Sequence, residues 1–144
     1  MGGKSMAVLW DVELSNRQKI RVLATHLASF SEEVRVASAK IIEERRKVSE
    51  LPFFVVGDLN SAPDGIPNHR LYNNENALDI LLKGGGYVTL PLKDPKTSDF
   101  TIGVGRPSAI VDWILVPPSW NIVSRRVLQL TASDHYPVLM EIEQ

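Results

Sequence analysis

The 144-residue sequence has no cysteine. That excludes a disulfide-stapled scaffold and a cysteine-rich zinc site. It also has no apolar run near the roughly 18–20 residues of a membrane-spanning helix, and Met1-Gly2-Gly3-Lys4-Ser5-Met6 lacks an apolar signal region. Together these absences set the expectation of a cytoplasmic protein. Nor is there an excess of one charge: 16 Lys+Arg stand against 17 Asp+Glu, a net −1, so any hold on a polyanion must be local. What is present is a 44% apolar composition, enough for one buried core in one domain. Residues 1–6 read as a leader and 7–144 as a single domain, with no internal repeat and no low-complexity tract.

The hydropathy pattern alternates between sheet and helix. Residues 7–14 form a strand candidate, with Trp10, Val12 and Leu14 alternating against Asp11 and Glu13. A polar turn at 15–18 and a returning strand at 20–27 make a hairpin. Ser29-Phe30-Ser31-Glu32 matches a capping box that opens a helix to about Glu50. The predicted buried stripe of that helix is Val34, Ala37, Ile41 and Val48, with Ile42 beside it. Glu43 to Lys47 are predicted to be solvated. Phe53-Phe54-Val55-Val56, bounded by Pro52 and Gly57, reads as a strand covered on both faces. A second helix is expected from Arg70 to Lys83, burying Leu71, Leu78, Leu81 and Leu82 and ending at Gly84-Gly85-Gly86. A short strand near Phe100-Thr101-Ile102 and three more at 110–116, 122–130 and 138–143 follow. This order predicts an α/β layer: a mixed sheet with helices on one face.

Four polar clusters sit in or at the ends of these strands: Thr25-His26, Gly57-Asp58-Leu59-Asn60, Val111-Asp112-Trp113 and Ser133-Asp134-His135. Taken singly, Asp58 and Asn60 suit a turn, His26 suits a satisfied core histidine, and Asp134-His135 suits an Asx turn. Asp112 interrupts an apolar run, where a carboxylate costs several kcal/mol unless paired. Taken together, three Asp, one Asn and two His form a hard, oxygen-rich set suited to Mg2+ or Mn2+.

These clusters carry a resemblance. Residues 55–63 (VVGDLNSAP), 110–116 (IVDWILV) and 132–138 (ASDHYPV) resemble, in order, the last three motifs of the endonuclease/exonuclease/phosphatase superfamily, and Thr25-His26-Leu27 resembles the motif before them. The resemblance covers nearly all of residues 7–143. It implies the C-terminal part of a four-layered α/β/β/α sandwich and Mg2+- or Mn2+-dependent hydrolysis of a phosphate ester. The substrate could be nucleic acid, phospholipid or inositol phosphate. By motif, Asp58 resembles the residue that orients or deprotonates the attacking water, and Asn60 its partner toward the phosphate or that water. His135 resembles the imidazole on the scissile phosphate, Asp112 its carboxylate partner and His26 a second phosphate-contacting imidazole. The metal set implied is Asp134, Asp58 and Asn60. His69 and Arg70, just past the Asp58 loop, are candidate phosphate contacts.

The chain departs from the family at its start. It has neither the strand bearing a metal-contacting Asn nor the segment ending in a metal-binding Glu, and Glu13, Glu32 and Glu33 match no motif. Weak metal binding follows, as does an inner sheet face left open to self-association or a partner chain. The competing reading is a catalytically inactive scaffold that keeps the fold without the metal-binding half.

Overall fold

The computed structural model describes residues 5–62 and 76–144. The elements are β1 (Met6–Glu13), β2 (Lys19–His26), α1 (Glu32–Lys47), β3 (Phe53–Asp58), α2 (Ala77–Leu82), β4 (Asp112–Leu115), β5 (Asn121–Val127) and β6 (Val138–Glu143). None of the described helices is long and apolar enough to cross a membrane. His69, Arg70, Leu71 and the start expected for the second helix lie outside the described residues.

The expected hairpin forms. β1 and β2 are antiparallel, joined by a turn in which the Arg17 N–H donates to the Leu14 carbonyl and Asn16 Oδ1 accepts from the Gln18 N–H. β3 lies parallel to β2, a pairing that requires a crossover, and α1 supplies it. β4 closes the sheet antiparallel to β3, giving a mixed sheet in the order β1-β2-β3-β4. The apolar run at the start of β3 has the predicted environment: Phe53, Phe54 and Val55 are buried in a central strand. Residues 100–102, expected to hold a short strand, make only isolated bridges through Ile102. The last two strands leave the main sheet and pair with each other as a separate two-stranded ribbon.

Strand alternation sorts the core into two faces. On one, Phe53, Val55, Trp113 and Leu115 meet Ala39 and Ile42 of α1 and Leu78 and Leu81 of α2. On the other, Ile20, Phe54, Val116 and Trp120 form a second cluster, with Ile122, Met140 and Ile142 of the ribbon packed against it. Phe54 and Trp120 meet edge-on at 5.3 Å. The ribbon therefore roofs the β3–β4 part of this inner face. Over β1 the face is open among the described residues: Met6, Val8, Trp10 and Val12, which the register sets beside His26, Ala24, Val22 and Ile20, are all exposed.

Helix α1 corrects the predicted stripe. Its buried residues are Arg35, Ala39 and Ile42, whereas Val34, Ile41 and Val48 are exposed, Val48 by 77%. The reason is pairing, which hydropathy does not count. The fully buried Arg35 guanidinium donates to the carbonyls of Ala28 and Ser29 and to the Glu32 carboxylate. The other Glu32 oxygen accepts the N–H of Ala77 at the start of α2. Glu32 is thus withdrawn from the predicted capping box, and Ser31 caps the helix instead by accepting the Val34 N–H. The charged face is not wholly solvated either: Arg46, paired with Glu43, lies 5.8 Å above the buried Tyr87 ring. Within the described residues helix α2 starts at Ala77, behind an Asn76/Asp79 capping box. It buries Leu78 and Leu81 as predicted, while Leu82 is only partly buried.

Arg35→Met should therefore cost about 3 kcal/mol of stability in chemical denaturation, because it removes the cation from the half-buried Glu32 carboxylate and the donors from two carbonyls. Ile41→Lys should stay within about 0.5 kcal/mol.

Candidate active site

Register builds the site. The last residues of β2 and β3 and the first of β4 are partners across the sheet, His26 with Asp58 and Asp58 with Asp112. Their side chains consequently share the inner face at one rim. Gly57 permits this close row. Its φ is +130°, and a Cβ there would sit 2.0 Å from the Thr25 carbonyl oxygen. Backbone approaches backbone here, and only glycine fits.

Past the rim the loops are tied to one another. The Leu27 N–H donates to the Asp58 carbonyl, and the Leu59 N–H to the Val111 carbonyl, each at 2.9 Å. Asn60 is buried with φ +48°; its side-chain Nδ2 donates to the Leu27 carbonyl, and its N–H donates to Asp58 Oδ1 at 2.8 Å. The other Asp58 oxygen lies 3.4 Å from His26 Nε2. Asp112 Oδ2 is 2.8 Å from His135 Nδ1. A carboxylate at that nitrogen fixes the tautomer and turns Nε2 outward.

Asp58, Asp112 and His135, all half-buried, bring one ligand atom each within 4.8 Å of the others. Burial pushes the Asp58 carboxyl above its ordinary value, and the neighbouring Asp112 charge adds to the rise; the Asn60 N–H, His26 and His135 only partly offset it. His135 is pulled down by burial. The hydrogen bond and charge of Asp112, with Asp58 and Asp134 behind them, outweigh that pull and leave the imidazole raised. Asp112 and His135 line a cavity of about 400 Å³, together with Val56, Gly57 and Tyr136 among others.

The structure thus brings His26, Asp58, Asn60, Asp112 and His135 to one rim. Of the expected metal set, Asp58 is in the compact cluster. Asn60 spends its Nδ2 on Leu27, and Asp134 is exposed, with its carboxylate on Ser133 Oγ. His69 and Arg70 lie outside the described residues. Sequence reasoning missed Thr101. Its buried Oγ1 accepts the N–H groups of both Val111 and Asp112, and a lone threonine in a loop carries no signal of that.

The sequence profile of the endonuclease/exonuclease/phosphatase family matches residues 8–135. The chain belongs to that family. Among curated proteins none matches. Among solved structures, the fold is similar to that of a protein of this family from Bacteroides thetaiotaomicron (17% identity, TM-score 0.75, covering 96% of this chain and 55% of that one). It is also similar to a mannosyl-6-phosphatase of the same organism (17% identity, TM-score 0.74, 96% and 57%) and to the human Nocturnin catalytic domain, solved with a bound sulfate (15% identity, TM-score 0.69, 99% and 59%). This chain therefore spans somewhat over half the length of these structures. Family members are hydrolases of phosphate esters and generally depend on a divalent metal.

Gly57→Ala should destabilise this endonuclease/exonuclease/phosphatase domain by roughly 3 kcal/mol or more, read from thermal or denaturant unfolding, since both φ and the Thr25 backbone oppose a Cβ.

Proposed function

We propose that this chain hydrolyses a phosphate ester at the Asp58–Asp112–His135 cluster. The observation that carries the reading is the convergence of a proton acceptor and a carboxylate-held imidazole within one 4.8 Å group. In this reading Asp58, its proton affinity raised by burial, takes a proton from the attacking water. The water oxygen bonds to phosphorus as the bond to the ester oxygen breaks. His135, kept protonated by Asp112, directs Nε2–H at a non-bridging oxygen, where negative charge builds. His26, beside Asp58 and exposed, is a second contact for that charge.

The oxygen donors fit Mg2+ or Mn2+: Asp58 and Asp112 offer two half-buried carboxylates, with no thiolate beside them. Asp58 and Asp112 would hold the ion, with Asp134 and Asn60 as further oxygen donors at the same rim. When bound, it supplies positive charge to the phosphate oxygens. The substrate itself stays at the level of a phosphate ester.

Mn2+- or Mg2+-supported release of nitrophenol from a nitrophenyl phosphate mono- or diester tests this. Asp58→Ala and His135→Ala should each lower kcat by about 10²–10⁴-fold with the fold intact. The pH profile should be bell-shaped. Its acid limb reports Asp58, which must be deprotonated: burial raises that carboxyl, and a bound cation lowers it. Its alkaline limb lies above the ordinary imidazole value, because His135 must stay protonated. Asp112→Asn should move the alkaline limb down. An intact fold with no turnover would favour the scaffold reading.

We further propose that the open β1 face is covered in the working protein by a second apolar sheet surface, through self-association or another segment of polypeptide. Exposed Met6, Val8, Trp10 and Val12 support this. Light scattering should find an assembly larger than one chain, or the isolated chain should bind a hydrophobic dye. A dye-inert monomer would refute this proposal.

A further inference from the structure

We propose that Thr101 is a positioning residue that sets Asp112 against His135. The proposal rests on reading that pair as the phosphate-facing machinery. The two members belong to different parts of the fold. Asp112 begins β4 of the four-stranded sheet, whereas His135 lies in the turn before β6 of the ribbon, and among the described residues no strand ladder joins the two sheets. Their 2.8 Å separation must be set some other way.

Residues 101–103 span the gap. The Thr101 N–H donates to the Ala109 carbonyl at 2.9 Å, and the Thr101 carbonyl accepts the Tyr136 N–H at 2.7 Å. Ile102 bridges to both Ala109 and His135, and the Gly103 N–H donates to the Asp134 carbonyl. The Thr101 side chain completes the splint. Fully buried, its Oγ1 accepts the N–H groups of Val111 at 3.0 Å and Asp112 at 3.1 Å. One hydroxyl oxygen thus pins two successive amides where β4 starts, and so aims the Asp112 side chain. The carbonyl of the same residue pins the backbone one position after His135. Valine has nearly the same shape but no acceptor. It would leave two buried amides unpaired, and they would regain partners only if the start of β4 shifted.

A purely structural threonine would behave differently, and Thr89 provides the control. It is equally buried, and its Oγ1 donates to the Ile114 carbonyl of the same strand, two residues beyond Asp112.

The test compares Thr101→Val, Thr101→Ser and Thr89→Val with wild type. One readout is the downfield NMR resonance of the His135 Nδ1 proton shared with Asp112, identified by its loss in Asp112→Asn. The other is hydrolysis of a nitrophenyl phosphate ester. Thr101→Val should lose the resonance and about 10- to 100-fold in kcat, with KM changed less than about twofold. Thr101→Ser should keep the resonance and most of the rate, and Thr89→Val should keep both despite lower stability. Should Thr101→Val not fold, Thr101→Cys, whose sulfur is a weak acceptor, is judged by the same criterion.

A folded Thr101→Val protein that keeps the resonance overturns the proposal. So does loss of the resonance in Thr89→Val, or its absence from wild type. If wild type keeps the resonance but hydrolyses no phosphate ester, the functional reading falls, and the resonance alone still decides the role of Thr101.

Discussion

Successive side chains of a β-strand face opposite ways, and in this protein that alternation is locked by the pairing of β2 with β3 and β3 with β4. The residues that fill the inner face along these strands, Val22, Phe54 and Ile114 among them, set the parity on which His26, Asp58 and Asp112 emerge at the rim. A slip of one residue would send the carboxylates to the helix side, into the core of Val55, Trp113 and Leu115. The apolar core and the polar site are therefore consequences of one register. Gly57 is the point at which that register is most tightly constrained, because the β2 backbone leaves no room for a side chain.

Electrostatics then differentiates groups that the register merely brings together. Asp58 and Asp112 both carry carboxylates, but only Asp112 has an imidazole at 2.8 Å. Asp58 is left partly desolvated beside a like charge, held by one amide and a more distant histidine. One carboxylate thus favours a neighbouring cation and the other favours a proton. Two similar side chains therefore sit in different surroundings, one paired with an imidazole and the other next to it without that partner.

The arrangement leaves a structural cost on the inner face. Strand β1 carries large apolar residues on a surface that the ribbon does not reach, while β3 and β4 are covered on both sides. The asymmetry matches the length comparison, since the similar structures carry substantially more chain than this one. It places an exposed apolar surface directly beside His26, through the pairing of Met6 with that residue.

Much of this was legible in the sequence, for definable reasons. The hairpin, the buried strand at Phe53–Val56 and the strand-end location of the polar clusters all follow from local alternation and from turn residues, which depend on neighbours in the chain. The motifs around Asp58, Asp112 and His135 marked residues that meet at one rim, because their chemistry is unusual within apolar strands. The buried stripe of α1 was misread because Arg35 is made tolerable by the Ala28 and Ser29 carbonyls and by Glu32, a set assembled only when the loop folds back. The separation of β5 and β6 from the main sheet, and the splint through Thr101, were invisible for the same reason. Sequence by itself determined which residues alternate, cap or turn, and which polar groups sit where burial demands a partner. Tertiary structure alone decided which partners those groups found, because a hydrogen bond between residues distant along the chain leaves no periodic trace in it.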